Sequence, residues 1–280
     1  MSVQLVLSLV ALWGAQAVVQ DQADQPWSDQ PAIPVSWVSF TPDETIAVFG
    51  QHDENWDQHR VMMSVRSSQG WQAARPVEID GAPWPTQMRA MRFSPDGRGA
   101  VFSSAPLPGE TRDDWDLWYV HWHSGRFVAA RRLESPVNSS AHDVHASIAA
   151  NGTIYFASRR RGGAGESDLY RAIPDLAAGW RVERLRALSS AYSEADIYVA
   201  PDEGYVIFAR TDAPDGQGGD DLYISRANGE GWSDPVPLGE DVNSPEYEYG
   251  AWVNATGDRL WFTAFRDGIY QPVQVAMPEE

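Results

Sequence analysis

Six residues of this chain combine types and spacing that could do chemistry: His142, Asp143, His145, Glu194, Asp196 and Glu248. Five of them fall at equivalent points of an internal echo, and His142 stands beside one of these. Aligned on Phe40, Phe93, Ile148, Val199 and Val253, the residues five places earlier are Val35, Met88, Asp143, Glu194 and Glu248. The residues three places earlier are Trp37, Ala90, His145, Asp196 and Gly250. If each segment is a strand facing a common axis, alternate residues point inward. Three carboxylates would then meet at one level, with Asp196 and His145 below and His142 at the rim.

Three chemistries suit such a funnel. Gathered like charges raise each other's pKa and attract a cation, and oxygen ligands from several strands suit calcium or magnesium. A carboxylate pair could act as acid and base on a glycosidic bond. Alternatively, each carboxylate holds neighbouring backbone and loops and does no chemistry. His142 and His145 flank Asp143, a spacing that with carboxylates could hold zinc or manganese, although hydrogen bonding is their plainer role. On sequence the cofactor is either none or a divalent cation such as calcium.

Other polar features read as architecture. Asp116, Asp168 and Asp221 each open an Asp-Leu-aromatic triplet, and repetition argues for groups that bond turn backbone. The Asp- and Gly-rich loop from Asp212 to Asp221 lacks the ligand alternation of an EF-hand and reads as a connector. Arg159-Arg160-Arg161 is a basic cluster expected to pair with Glu166 or Asp168. His52 and His59 lie in a polar loop beside Asp53 and Glu54. His121 and His123 alternate with Tyr119 and share its strand face. Net charge is −18, which repels nucleic acid and favours a basic partner or cations. There is no cysteine, which excludes disulfides, thiolate metal sites and thiol nucleophiles. No G-x-S-x-G elbow occurs, so a serine-hydrolase site of that type is not expected.

The elements that would position these groups are short strands. Phe49, Phe102, Phe156, Phe208 and Phe262 recur with successive differences of 53, 54, 52 and 54 residues. Each follows a turn signal such as Ser94-Pro95-Asp96-Gly97 or Asn151-Gly152. A fixed period near 50 residues marks a propeller or solenoid, because one repeat cannot bury its own apolar face. Each repeat reads as four strands: one into the turn, one out of it, a third opened by the Asp-Leu-aromatic triplet, and a fourth beginning near Trp71, Phe127, Trp180 or Trp232. Thirteen Trp, ten Tyr and nine Phe suit half-buried pleated faces. The last repeat has three strands. Pro26-Trp27-Ser28-Asp29-Gln30-Pro31-Ala32-Ile33 matches the fourth-strand segment Gly231-Trp232-Ser233-Asp234-Pro235-Val236-Pro237-Leu238 and is expected to supply the missing outer strand. The expectation is an all-β, single β-propeller of five four-stranded blades, its ring closed by that N-terminal strand.

Ser94-Pro95-Asp96-Gly97 before Ala100-Val101-Phe102, the run from Phe156-Ala157-Ser158-Arg159 to Asp168-Leu169-Tyr170, and Gly216-Gln217-Gly218-Gly219-Asp220-Asp221-Leu222-Tyr223 with Gly231-Trp232-Ser233 resemble the WD-like repeats of TolB-like β-propellers. The resemblance covers residues 27 to 276. The first and last repeats depart from it, with Gln58-His59-Arg60 and Gly268-Ile269-Tyr270 in place of the triplet. It implies a periplasmic binding or scaffolding module, and it implies that acids at the Asp143 position are a habit of the repeat. Val3 to Gly14 is apolar and ends in Ala15-Gln16-Ala17, which reads as a signal peptide cleaved after Ala17, leaving the propeller at 18–280. No later run is long and apolar enough for a membrane span. The expectation is therefore an exported monomer, periplasmic or secreted, binding an envelope protein or cell-wall glycan through its funnel face. Trp56, Trp84 and Trp115 are expected to add contact area, and a funnel-carboxylate glycosidase and a divalent-cation-binding propeller are the alternatives.

Overall fold

A computed structural model describes residues 25–29, 34–53, 58–81, 85, 87–177, 179–229 and 231–278. The expected leader at 1–17 lies outside them, as do Glu54, Trp56 and Trp84. The described residues form strands, turns and loops without helices. Five sheets, taken in chain order, are the five blades; their pairing is antiparallel except in the second, where Ile79–Asp80 adds a parallel edge strand beside Arg126–Arg132. Their inner strands are Val35–Phe40, Met88–Phe93, Asp143–Ile148, Ser193–Val199 and Glu248–Val253. Each touches the next, and the first touches the last, so the ring is closed around a central channel.

The recurrent phenylalanine shows why the repeat folds this way. Phe49, Phe102, Phe156, Phe208 and Phe262 sit mid-way along the second strands, and all are buried. In three blades it stacks on the triplet aromatic: Phe102 on Trp118 at 6.2 Å, Phe156 on Tyr170 at 5.9 Å and Phe208 on Tyr223 at 6.1 Å. The turn before it is fixed by a side-chain clamp. Ser94 Oγ donates to Asp96 (2.6 Å), and the amides of Arg98 and Gly99 donate to Asp96 and Ser94. Fourth strands run through Trp71, Phe127, Trp180 and Trp232, as the sequence led us to expect.

The fifth blade has three strands among the described residues, Glu248–Val253, Arg259–Arg266 and Ile269–Ala276. Residues 30–33, half of the expected closing strand, lie outside the described set. Residues 25–29 form a turn rather than a strand. That turn nevertheless bridges the ring junction. Trp27 meets Phe49 of blade one edge-on at 5.9 Å and Trp261 of blade five at 5.8 Å. The Ala74 amide donates to the Asp29 carboxylate (3.1 Å).

One local feature repeats in all five inner strands and decides what faces the axis. Each carries a bulge, where the pairing register with the second strand slips. The bulged residues are Trp37, Ala90, His145, Asp196 and Gly250, with φ of 50°, 50°, 55°, 53° and 70°. A left-handed residue in a bulge bends the strand and re-aims its side chain. Four of the five are not glycine, so the surrounding structure holds a conformation that L residues disfavour.

Candidate functional site: the funnel mouth

The bulge ring builds the floor of the funnel. Trp37, from blade one, crosses the channel and donates its indole N–H to Asp196 of blade four (2.5 Å). Its ring lies 5.5 Å from His145 of blade three and 5.5 Å from Tyr249 of blade five. Small partners make room for it. Ala90 is the equivalent residue of blade two, and a Cβ added at Gly250 would sit 3.0 Å from Trp37 Cδ1. The floor is pinned between blades: the amide of Trp37 donates to Thr263 of blade five (3.0 Å) and that of His145 to Ser103 of blade two (2.8 Å).

The electrostatics of the floor follow from burial. Asp196 is 6% exposed, and its pKa is pushed up to about 6, chiefly by desolvation against the opposing pull of Trp37 and Arg92. His145 Nδ1 lies 3.5 Å from Asp196 Oδ2. Burial, reinforced by Arg89 and Arg92, nevertheless holds His145 well below its usual pKa, so it is neutral at pH 7.

Above the floor stands an aromatic and polar cup. The Arg89 guanidinium lies over the Trp115 ring, 4.1 Å from its centroid, a cation–π arrangement. The Trp115 amide donates to His142 Nδ1 (3.1 Å). His59 meets Trp115 edge-on at 5.4 Å, and His52 meets Tyr270 at 5.7 Å. Burial lowers the pKa of His142 and of His52. Asp220 is half-buried and accepts from Thr211 Oγ1 (2.6 Å), and desolvation raises its pKa.

The three carboxylates expected at one level are placed differently. Asp143, Glu194 and Glu248 are all fully buried, and each is engaged by its own surroundings. Asp143 accepts from Ser139 N (2.6 Å) and Oγ (2.8 Å), from Ser158 Oγ (2.5 Å) and from Arg160 (2.7 Å). Glu194 accepts from the amide and hydroxyl of Ser190 and from Arg210 Nε (3.0 Å). Glu248 accepts from Ser244 N (2.9 Å) and Oγ (2.7 Å) and from Arg266. A serine four residues earlier and an arginine at or just past the end of the second strand thus recur in blades three to five. Two of the arginines lie over the triplet aromatic, Arg160 on Tyr170 at 4.8 Å and Arg210 on Tyr223 at 4.7 Å. Among the described residues, no group of three or more His, Asp or Glu side chains is gathered as a metal site. The expected convergence is therefore corrected to three separate blade staples. Of the six candidates, His145 and Asp196 come together on the floor, and His142 joins the wall.

Several smaller expectations can be located too. Asp168 and Asp221 bond turn backbone at Ala164 and Gln217 (2.8 and 2.9 Å), while Asp116 is instead paired with Arg112 (2.6 Å) and Arg132 (3.2 Å). Arg159 pairs with Glu166 at 3.0 Å, and Arg160 is spent on Asp143. Tyr119 and His121 share a face, their rings 5.0 Å apart. Sequence reasoning missed Trp37, Arg89 and Arg92. The available signal was a break in the repeat: two arginines in the strand Met88–Phe93, where the other blades hold neutral residues.

No family model matches the chain, and no curated protein matches it. Solved structures do match. A putative TolB from Agrobacterium tumefaciens aligns over 87% of this chain and 77% of its own, with a TM-score of 0.56 at 13% identity. The fold is that of a five-bladed β-propeller. An endo-arabinase from Bacteroides thetaiotaomicron VPI-5482 aligns over 89% of this chain and 96% of its own, with a TM-score of 0.58 at 11% identity. An α-L-arabinofuranosidase from Lactobacillus brevis aligns over 87% and 90%, with a TM-score of 0.57 at 9% identity. At such identities the likeness speaks for the propeller fold alone. No helix among the described residues of this propeller is long and apolar enough to cross a membrane.

Proposed function

We propose that this chain is a non-catalytic exported propeller that binds an envelope protein or a cell-wall ligand at its funnel face. The observation that carries the reading is the division of labour among the polar groups. Asp143, Glu194 and Glu248 are consumed by serines and arginines within the blades. The cup around Trp115, Arg89, His142 and Tyr270 instead presents half-buried rings and hydrogen-bonding groups over a closed floor. Rings with polar edges suit stacking on sugars or on partner side chains. The likeness of the fold to TolB supports a binding role, and net charge −18 favours a basic partner. In this reading His142, His145 and Asp196 belong to the binding surface and its floor, while Asp143, Glu194 and Glu248 hold that surface in place. The test is retention of the chain on peptidoglycan sacculi and capture of proteins from envelope extract. Trp115→Ala with His142→Ala should lose the interaction while circular dichroism shows the variant still folded at the assay temperature. Equal retention by this variant would sink the reading.

A glycan-hydrolysing role is the second reading, and one observation favours it. Asp196 and Asp220 lie within electrostatic reach of each other on the funnel side, and burial raises both pKa values. Such a pair could divide acid and base roles. Turnover of arabinan by the wild type, lost in Asp220→Asn, would establish it. Absence of turnover is the expected result.

A further inference from the structure

The opposite end of the channel holds a feature that the funnel reading does not use. There the inner strands end, and a cavity of about 210 Å³ opens between them. Its walls include Phe40, Phe93, Tyr198 and Trp252, with Ser147 among them. Arg92 also lines it. This residue is 2% exposed, and none of its three guanidinium nitrogens has a hydrogen-bond partner among the described residues. Asp196, the carboxylate whose charge it feels most, is already taken by Trp37 and faced by His145. A guanidinium carries five donors in a planar fork that fits a carboxylate. Buried charges are normally paired, and one without a partner is costly.

We propose that this mouth is a second binding site, taking a small organic carboxylate with an apolar body, the carboxylate on Arg92 and the body against Phe40, Phe93 and Trp252. The size is adequate, since a cavity of roughly 150 Å³ lined by apolar groups already accepts benzene. The position is informative as well. The residues equivalent to Arg92 are Ser39, Ser147, Tyr198 and Trp252, so one blade alone contributes a cation to an otherwise neutral ring. Ser39 and Ser147 serve the fold, accepting from the amides of Phe93 and Val199 (both 3.2 Å). Nothing comparable satisfies Arg92.

The test uses 3-phenylpropionate as probe, with 3-phenylpropan-1-ol and acetate as controls, followed by calorimetry and by tryptophan fluorescence on the whole chain. The acid should bind at least about tenfold more tightly than the alcohol, as a charge-assisted hydrogen bond in a buried site implies. Acetate, lacking the apolar body, should bind more weakly than the acid. Arg92→Met should abolish the acid's advantage. Ala255→Trp, at an exposed turn on the rim, should block acid and alcohol alike. Equal affinity of acid and alcohol for the wild type would overturn the proposal, as would no binding of the acid at millimolar concentration. That comparison needs no variant, so a poorly folding Arg92→Met leaves it decisive. The funnel variant Trp115→Ala should bind the acid normally, which separates failure here from failure of the funnel reading.

Discussion

Asp196 concentrates the tension of the whole funnel floor. It is buried and accepts from an indole, yet its pKa of about 6 says that desolvation outweighs its partners. A carboxylate whose folded pKa lies above its unfolded value favours the folded state below the unfolded pKa. That contribution is lost as pH rises through the folded value. Stability should therefore fall between about pH 4 and pH 6 on account of Asp196, by up to about 3 kcal/mol. His145 acts in the opposite sense, because its pKa is lowered: its contribution is present above about pH 6.5 and lost as pH falls. Asp196→Asn keeps an acceptor for Trp37 and removes the ionisation. We expect this variant to gain stability at pH 7 relative to pH 4 in denaturant titrations, by up to about 3 kcal/mol over wild type. An unchanged pH profile would mean that Asp196 is better solvated than its surroundings imply. Trp37→Phe leaves the carboxylate without its donor and should cost about 1–3 kcal/mol, measured at pH 7. Asp196 and His145 were legible in the sequence as chemistry-bearing residues, but Trp37 was not. Its role depends on reaching across the channel to a blade 159 residues away, which no local pattern encodes.

At the scale of the strand, the bulge explains what the alignment got right and wrong. The register of the five inner strands was readable from Phe40, Phe93, Ile148, Val199 and Val253. Strict alternation then placed both the Asp143 level and the His145 level inside the funnel. A bulge breaks that parity, and its residues here are Trp, Ala, His, Asp and Gly, which share no turn signature. So Asp143, Glu194 and Glu248 face the preceding turn and a second-strand arginine instead. The staples make a direct prediction. Arg210→Met leaves Glu194 buried without its cation and should destabilise by about 3–5 kcal/mol. Glu194→Gln should cost less. The double variant should be less destabilised than the sum of the two, as a double-mutant cycle would report. Additive costs would mean that the pair is not coupled. Gly250→Ala tests the bulge itself. A Cβ there meets Trp37 and sits at φ 70°, so a loss of about 1–2 kcal/mol is expected from thermal unfolding.

The whole molecule was the most legible part, because a repeat averages over local ambiguity. Five copies of one phenylalanine and five turns were enough for the blade number and the strand order. The ring junction was less legible. The echo between Trp27 and Trp232 located the contact correctly, yet residues 25–29 form a turn, with Trp27 wedged between Phe49 and Trp261. Trp27→Ala should therefore loosen the joint between first and last blades. We expect a loss of about 2 kcal/mol, with earlier hydrogen exchange in those two blades than in blade three. The function was the least legible, since propellers share a frame and differ at their mouths. The measurement that bears most directly on the account is capture from envelope extract by three forms of the chain: wild type, the staple variant Glu194→Gln and the cup variant Trp115→Ala/His142→Ala. The account predicts that wild type and Glu194→Gln retain the same partner or sacculus fragment and that the cup variant retains none. Loss in Glu194→Gln with normal capture by the cup variant, both folded, would contradict it and return the carboxylates to the centre of the function.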